Sequence, residues 1–435
     1  MLKIKAINNL TKSYSFLVLF FVSVSYGQEK VIDTTNHDFR KNFTAFYLAK
    51  TAETDLFIKN IADRKVRKEI ETICLENKTT FLDQIKKGVF INDKRYTDLA
   101  DSLFVKIKKA NPQIHNIKLV YALGNESNAY NFGEDIVVIY LKLLQAFENE
   151  YQLGFVICHE IAHQMLNHTK TSLLKRVETN LSDQVRKTTR TIDSQRFNKG
   201  EKARSALKKM VYGDRAESRK KEIQADSLGF VYFNNAFKTH GKQAIAALKL
   251  LDEIDVEKDS VTEKDFENFF TSSRQPFKKE WVTNTEFDNY QYEKAIKFWQ
   301  VDSLKTHPDC LDRIEALKKY AQKSDDEVVL STLEYQNLKK ATTYDVVLGL
   351  HFSKDYGNSL YQTLLLLKKE PDNRFLKSMV YNNLIKIQEA QNNYVLGKYL
   401  DNLDPKRSTS YNRLLFFIRK LKKAELENII EIYKQ

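Results

Sequence analysis

The residues with the clearest chemistry are two histidines and a glutamate in the motif His-Glu-Ile-Ala-His at 159–163. On a helix, residues four apart differ by about 40° around the axis, so His159 and His163 project from one face. Two imidazoles placed in this way can share one tetrahedral Zn²⁺, and Glu160 beside them suits a general base. The flanking residues are mostly apolar, which argues against a pair of surface histidines. The motif therefore predicts one zinc ion per chain, bound by His159 and His163.

A catalytic zinc needs a third protein ligand. His168 lies nine residues after His159 and would face the opposite side of an uninterrupted helix, so we expect a supporting polar role for it. Glu222 is the better candidate, because Glu222 and Asp226 lie one turn apart on one helical face. Asp226 can then accept a hydrogen bond from the distal nitrogen of a ligating imidazole. Taken without the histidines, this pair also fits a solvated acidic face.

These residues require long helices to position them. The chain has only 12 Gly and 5 Pro in 435 residues, which favours long helices over turn-rich β structure. Periodicity predicts amphipathic helices over residues 39–110 and helices from 325 onward. Alternating apolar residues predict short strands at 117–123, 128–132 and 136–138, followed by helices at 139–148 and 153–168.

Positive charge is concentrated in one segment between the two parts of the predicted metal site. The formal net charge is +13, and residues 170–221 contain 16 lysines and arginines but only 6 acidic residues. Apolar stripes predict that this segment is helical. It is either a lid over the cleft, selecting acidic or membrane-surface substrates, or a solvated helical hairpin. A single basic segment argues against a nucleic-acid-binding protein.

The first 27 residues have the order of a secretory signal peptide. Three lysines precede an apolar run at 16–24, and small, turn-prone residues lead to Gly27. The alternative is an uncleaved anchor, but the run is about half of the ~20 residues that a spanning helix needs. We therefore expect cleavage near Gly27, no membrane-spanning segment in the mature chain, and a periplasmic or extracellular location. Three cysteines are too few for a disulfide scaffold.

The sequence resembles the HtpX-like and CAAX-prenyl-protease-like zinc metallopeptidases, a branch of the gluzincins. The resemblance is carried by four segments: Asn128-Ala129-Tyr130, residues 153–168, residues 218–229 with Glu222, Ala225, Asp226 and Gly229, and Thr306-His307-Pro308 with Arg313. One departure is visible. The family commonly has a turn rich in proline and glycine after the Asn-Ala pair, where this chain has Asn131-Phe132-Gly133-Glu134.

The resemblance implies a mainly α (α+β) fold, with a gluzincin-like helical metalloprotease domain that contains a small β-hairpin or sheet. We expect an N-terminal helical region at 28–89, the metallopeptidase domain at 90–320, and an α-solenoid-like helical tail at 325–435. Within the tail, a tetratricopeptide-like pair is expected around 356–390, and the tail offers a site for a protein partner. The soluble periplasmic branch of this family acts in envelope protein quality control, which implies misfolded or envelope polypeptides as substrates.

The resemblance and the chemistry together assign further roles. Glu160 is expected to move the proton of the attacking water, and His307 to steady the oxyanion, although a histidine before a proline also caps loops. Arg313 is expected to tie the His-Pro loop to an acid. The strand at 128–130 is expected to pair with an extended substrate. The alternative function is a chaperone-like protein-binding module with a structural or dormant zinc site.

Overall fold

The computed structural model describes residues 36–124, 126–193, 199–254, 260–283, 310–321, 329–404 and 407–434. All of them belong to one compact unit, Asp33–Gln435. The predicted mainly helical α+β class is confirmed, with a single four-stranded sheet among the described residues. The predicted signal peptide and His307 lie outside the described residues. No described helix is both long enough and apolar enough to cross a membrane.

Three helices open the described chain: α1 (His37–Lys59), α2 (Arg64–Lys87) and α3 (Lys94–Ala110). Each begins after a residue whose side chain accepts hydrogen bonds from backbone N–H groups of the first turn, namely Asn36, Asp63 and Asp93. The α2 helix ends at Gly88, which has φ of 75°, a left-handed conformation that glycine adopts without strain. The predicted helical region is thus confirmed, apart from a two-residue strand at Phe90–Ile91.

The sheet contains β1 (Phe90–Ile91), β2 (Lys118–Ala122), β3 (Ala129–Gly133) and β4 (Ile136–Tyr140), in the order β1-β2-β4-β3. The β2 and β4 strands are parallel, and the other two pairs are antiparallel. This order leaves β3 at an edge. The predicted helix at 139–148 is wrong, because β4 runs to Tyr140 and continues as a 3₁₀ turn at Leu141–Gln145. The apolar run there has no periodicity to separate strand from helix.

Side chains from both faces of the sheet are buried. Val120 and Val138 pack with Phe43 of α1 and Phe81 of α2. Val137 points to the opposite face and is also fully buried, because successive side chains of a strand alternate between faces. This arrangement explains why β4 reads as a continuous apolar run rather than an alternating one.

The central helix, α4 (Glu150–Met165), begins after Asn149, whose side chain accepts from two backbone N–H groups of the first turn. Nearly all of its residues are buried, so it is a core helix without a solvent-facing side. It ends earlier than the predicted position at 168. Asn167 has φ of 54°, which breaks the helical path before α5 (His168–Leu181) begins.

The described residues of the basic segment are helical, as expected. It forms α5, α6 (Asp183–Asp193) and the first part of α7 (Lys199–Ala236), a helix of 38 residues. The second part of α7 packs against α4. The next helix, α8 (Gly241–Asp252), also packs against α4. A single long helix therefore joins the basic segment to the core.

The remaining helices of the described residues are α9 (Glu263–Phe270), α10 (Cys310–Ala321), α11 (Leu333–Phe352), α12 (Tyr356–Lys369), α13 (Arg374–Asn392), α14 (Thr409–Lys420) and α15 (Lys423–Ile432). The α12 and α13 helices lie where a tetratricopeptide-like pair is expected, around 356–390, and the likeness to that repeat stays a prediction. A 3₁₀ turn at Lys279–Trp281 follows α9.

The C-terminal helices enclose a core that includes residues from before α10. Phe266, Phe270 and Trp281 are buried in one apolar cluster with side chains of α12 to α15. Residues 261–282 therefore pack with the tail, although they precede α10 in sequence. The predicted domain boundary at 320–325 stays a prediction. Residues 261–282 lie before this boundary in sequence but pack with helices that lie after it.

The α11 helix attaches the tail to the rest of the unit. The Tyr96 hydroxyl of α3 donates to Asp345 Oδ2 over 2.5 Å, and Arg95 Nη1 lies 3.0 Å from the same oxygen. The Tyr335 hydroxyl donates to the Leu144 carbonyl oxygen at 3.1 Å. Two of these contacts join α11 to α3, which packs against α4, and the third joins it to the 3₁₀ turn that precedes α4.

Candidate metal centre

Two helices bring three metal-binding side chains to one point. His159 and His163 come from α4, and Glu222 comes from α7. The two Nε2 atoms are 3.0 Å apart. Glu222 Oε2 lies 3.5 Å from His159 Nε2, and Glu222 Oε1 lies 3.4 Å from His163 Nε2. Among the described residues, these three form the one group of histidine, cysteine or acidic side chains arranged to hold a metal ion.

The donor set fits zinc. Nitrogen and oxygen ligands arranged tetrahedrally about zinc at 2.0–2.2 Å lie about 3.4 Å from each other, close to the three spacings observed here. The two Nε2 atoms face each other, so at most one of them can carry a proton between them. Two imidazole nitrogens and a carboxylate are also the ligands that catalytic zinc commonly takes.

A close helix contact places Glu222 beside the histidines. Gly229 of α7 lies against the backbone of α4, where an added Cβ would be 2.9 Å from both the N and Cα atoms of His159. Only glycine allows the two helices to approach this closely. Glu222 lies seven residues earlier, two turns along α7, and therefore reaches the face of α4 that carries His163.

Asp226 and Arg313 hold the other side of His159. Asp226 Oδ1 lies 2.8 Å from His159 Nδ1. Arg313 from α10 donates through Nε and Nη2 to the two oxygens of Asp226, at 2.6 and 2.8 Å, and its Nη1 lies 3.2 Å from Glu222 Oε2. Asp226 and Arg313 are each about 1% exposed. This bidentate contact fixes the carboxylate that orients the imidazole.

The ionisation of His159, Glu222 and Asp226 depends on the contacts that these side chains make with their charged neighbours. Burial alone would lower the pKa of His159, but Asp226 and Glu222 raise it to about 10 in the metal-free protein. Burial opposes ionisation of Glu222 and Asp226. Even so, contacts with the two histidines hold the pKa of Glu222 well below its usual range, and Arg313 lowers that of Asp226. Both carboxylates are therefore ionised and available to a cation at neutral pH.

His168 supports His163 from the start of α5. Its Nδ1 lies 2.9 Å from His163 Nδ1, and its Nε2 lies 3.3 Å from Gln224 Oε1. Burial, followed by the proximity of His163, lowers the pKa of His168 to about 4. The helix is interrupted before His168, because the chain turns at Asn167 and brings the ring back to His163, so His168 makes the supporting polar contact expected of it. A neutral His168 can accept the Nδ1 proton of His163.

Glu160 is buried and held by the edge strand. The backbone N–H of Asn131 donates to Glu160 Oε2 at 2.8 Å, and Glu160 Oε1 is 4.0 Å from His159 Nε2. Burial raises the pKa of the Glu160 carboxyl. The contact of Asn131 with Glu160 was not predicted from the sequence. The position of Asn131 directly after the Asn-Ala-Tyr motif was the available indication, but the contact depends on the path of β3 past α4.

The three donors open into a cleft of about 460 Å³. One wall includes Asn128, Ala129 and Asn131 at the edge of the sheet, and the opposite wall comes from α5 and α7. Of the three residues predicted to contact substrate, Asn128 and Ala129 line this cleft. Tyr130 instead packs on the other face of β3, with its ring 6.0 Å from that of Tyr140. The alternation of side chains along a strand explains the difference.

The comparison with known families agrees with this geometry. The family described as peptidase family M48 matches residues 94–321, more than half of the chain. The matched stretch contains the three donors, Glu160, Asp226 and Arg313. No curated protein matches the sequence.

Proposed function

Because the chain belongs to peptidase family M48, a family of zinc-dependent metallopeptidases, we propose that it is an endopeptidase that binds one zinc ion. The ligands in this proposal are His159, His163 and Glu222. The observation that supports it most strongly is the convergence of their three donor atoms, from two helices, at spacings of 3.0–3.5 Å. The protein hydrolyses peptide bonds within polypeptides.

Zinc in this position supplies a Lewis acid that polarises the scissile carbonyl and favours ionisation of water. Glu160 takes the proton of the attacking water and returns it to the leaving amine. Its raised pKa suits both transfers, because burial makes the carboxylate a stronger base than an exposed glutamate. The Asn131 N–H keeps one carboxylate oxygen in place and leaves the other for the proton.

The surrounding residues hold the imidazole rings of the two histidines in fixed orientations. Asp226, held by Arg313, fixes the ring of His159, and His168 performs the same task for His163. An extended substrate lies along β3, whose outer edge borders the cleft. His307 remains our candidate for the group that steadies the oxyanion, on sequence grounds alone.

The setting of the activity is also a proposal. The order of residues in the first 27 positions supports export, and therefore a periplasmic or extracellular peptidase. Misfolded or envelope proteins are the substrates we propose, within envelope quality control. The C-terminal helices are the proposed contact for a protein partner.

A Glu160→Gln variant tests the proposal against a chaperone-like function. The amide keeps the shape of the side chain but cannot accept the proton. We expect unchanged zinc content and a loss of at least about 100-fold in cleavage of an unfolded protein such as labelled casein. Equal cleavage by the variant and the wild type would exclude this mechanism. Zinc binding without cleavage by the wild type would favour the binding module with a dormant site.

A further inference from the structure

The wall of the cleft opposite β3 is cationic. Lys175 and Arg176 of α5 and Lys221 of α7 line it, together with a single carboxylate, Glu217, outside the metal centre. The β3 wall contributes only neutral residues. A polypeptide lying along β3 therefore has this positively charged wall on one side, across the same cleft.

The one carboxylate on this wall is shared between the two lysines. Glu217 forms an ion pair with Lys175, and its Oε1 lies 3.7 Å from Lys221 Nζ. Lys221 Nζ also donates to Ser172 Oγ at 2.7 Å. These contacts leave the wall with more positive than negative charge.

Arg176 is the cation available to a substrate. It is exposed, and it has no ion pair or hydrogen bond with another described side chain. Its guanidinium presents a planar set of donors that matches a carboxylate in a bidentate manner. A carboxylate of the substrate is therefore the partner that fits it.

The position of Arg176 along the cleft follows from helix geometry. The α5 helix begins at His168, whose ring contacts His163, and Arg176 lies eight residues later. At 1.5 Å per residue, Arg176 lies about 12 Å from His168 along the helix. An extended peptide advances about 3.3 Å per residue, so this distance corresponds to roughly three or four residues.

We propose that the cleft selects polypeptides with an aspartate or glutamate about three or four residues to one side of the cleaved bond, recognised by Arg176 with Lys175 and Lys221. This inference rests on the proposed peptidase function. It assigns a role to the basic segment, whose charge otherwise has no function in the metal centre. Glu217 limits the preference, because it competes with the substrate for the lysines.

The test uses a set of peptides that differ only in one residue, Asp or Lys, placed at each position from four before to four after the cleaved bond. We measure kcat/KM with the wild type and the dissociation constant with Glu160→Gln. We expect the Asp peptide to be favoured roughly fivefold at one or two adjacent positions, the effect of about 1 kcal/mol per exposed ion pair. Raised salt concentration should reduce this preference.

Charge variants give opposite changes. Arg176→Glu should reverse the preference at those positions, whereas Glu217→Gln should strengthen it. Lys187→Glu serves as the control, because Lys187 is an exposed residue of α6 that does not line the cleft. This variant should prefer Asp peptides to Lys peptides to the same extent as the wild type.

Equal values for Asp and Lys peptides at every position, or an unchanged preference in Arg176→Glu, would overturn the inference. Because the dissociation constants of Glu160→Gln report the preference without cleavage, this result is independent of the peptidase activity. An acidic preference in binding, without cleavage by the wild type, would contradict the proposed function and leave this inference supported.

Discussion

Buried charge dominates the centre at the scale of single residues. The carboxylates of Glu160, Glu222 and Asp226 face one guanidinium, Arg313, and the two imidazoles between them. Burying several carboxylates is unfavourable unless cations compensate them. Arg313 compensates Asp226 directly, and His159 becomes the second cation when no metal is bound. In the proposed zinc-bound state, the divalent ion would take the place of the imidazolium in this balance.

Asp226→Asn should weaken zinc binding by about 10- to 100-fold, the usual effect of removing the partner of a ligating histidine. The amide cannot accept the Nδ1 proton of His159 with the strength of a carboxylate. Competition with a chromogenic chelator measures the affinity. Asp372→Asn, at a fully exposed side chain, is the control and should bind zinc as the wild type does. Equal affinities in Asp226→Asn and the wild type would show that Asp226 does not act through His159.

Zinc binding should release about one proton from His159 near pH 7. The pKa of His159 is about 10 in the metal-free folded chain, against 6.5 for an ordinary histidine side chain, so the folded chain holds the imidazolium at neutral pH. The stability that this charge contributes is therefore complete below pH 6.5, and it is lost as the pH rises towards 10. Zinc needs the neutral imidazole, so its affinity should increase with pH across the same range.

Calorimetric titration in two buffers with different ionisation enthalpies counts the protons. Asp226→Asn should release fewer, because the carboxylate that raises the pKa of His159 is gone. A wild-type titration without proton release would contradict the assigned ionisation state.

At the scale of helices and strands, the contact of α4 with α7 decides the geometry of the centre. Gly229→Ala should destabilise the protein by about 1–3 kcal/mol and lower its zinc affinity, because the new methyl group forces α7 away from His159. Gly397→Ala is the matched control, since an added Cβ there meets no atom within 4 Å. Thermal unfolding and chelator competition measure the two effects. Equal unfolding temperatures for the two variants would contradict a tight contact at Gly229.

The sequence predicted the parts of the centre that depend on local periodicity. His159 and His163, or Glu222 and Asp226, lie one helical turn apart, so their shared faces follow from spacing alone. Other features depend on neighbours distant in the chain. The return of His168 requires the left-handed backbone at Asn167, and the contact of Asn131 with Glu160 requires β3 to lie at the sheet edge.

The errors have a physical origin of the same kind. Leu141 and Leu144 belong to an apolar run that is buried on all sides, so its sequence carries no periodicity to separate a helix from a strand and a 3₁₀ turn. The pairing of residues 128–130 with substrate concerns the backbone edge of the strand and stays a prediction, although the Tyr130 side chain packs away from the cleft. A strand necessarily places Tyr130 and Ala129 on opposite faces.

At the scale of the whole molecule, packing contacts cross the domain boundary predicted at 320–325. Residues 261–282 lie between helices that support the metal centre, yet they pack in the core of the C-terminal helices. The α11 helix adds hydrogen bonds to Tyr96 and Leu144. The C-terminal helices therefore complete the packing of residues 261–282, which lie within the stretch that matches the peptidase family. This structural role is separate from the proposed role in binding a partner.

A chain that ends at Ala321 should fail to fold as a monomer. Removal of the tail exposes Phe266, Phe270 and Trp281, each at most 2% exposed in the intact protein. At about 1.5–3 kcal/mol per side chain, this loss approaches the whole stability of a typical domain. Size-exclusion chromatography and circular dichroism check the result.

The control for this truncation is Tyr96→Phe, which removes one hydrogen bond to the tail. It should stay folded with a stability lower by about 1–3 kcal/mol. A truncated chain that unfolds at the wild-type temperature and keeps its activity would show that the tail is a separate domain.

We propose that His159, His163 and Glu222 hold one zinc ion and that peptide hydrolysis depends on this ion. Zinc titration of the metal-free protein, with cleavage of an unfolded substrate measured at each addition, determines whether this claim holds. We predict that activity rises from near zero and reaches its plateau at one zinc per chain, and that Glu222→Gln needs at least about 100-fold more free zinc. Full activity without zinc, or identical titrations of Glu222→Gln and the wild type, would contradict the claim.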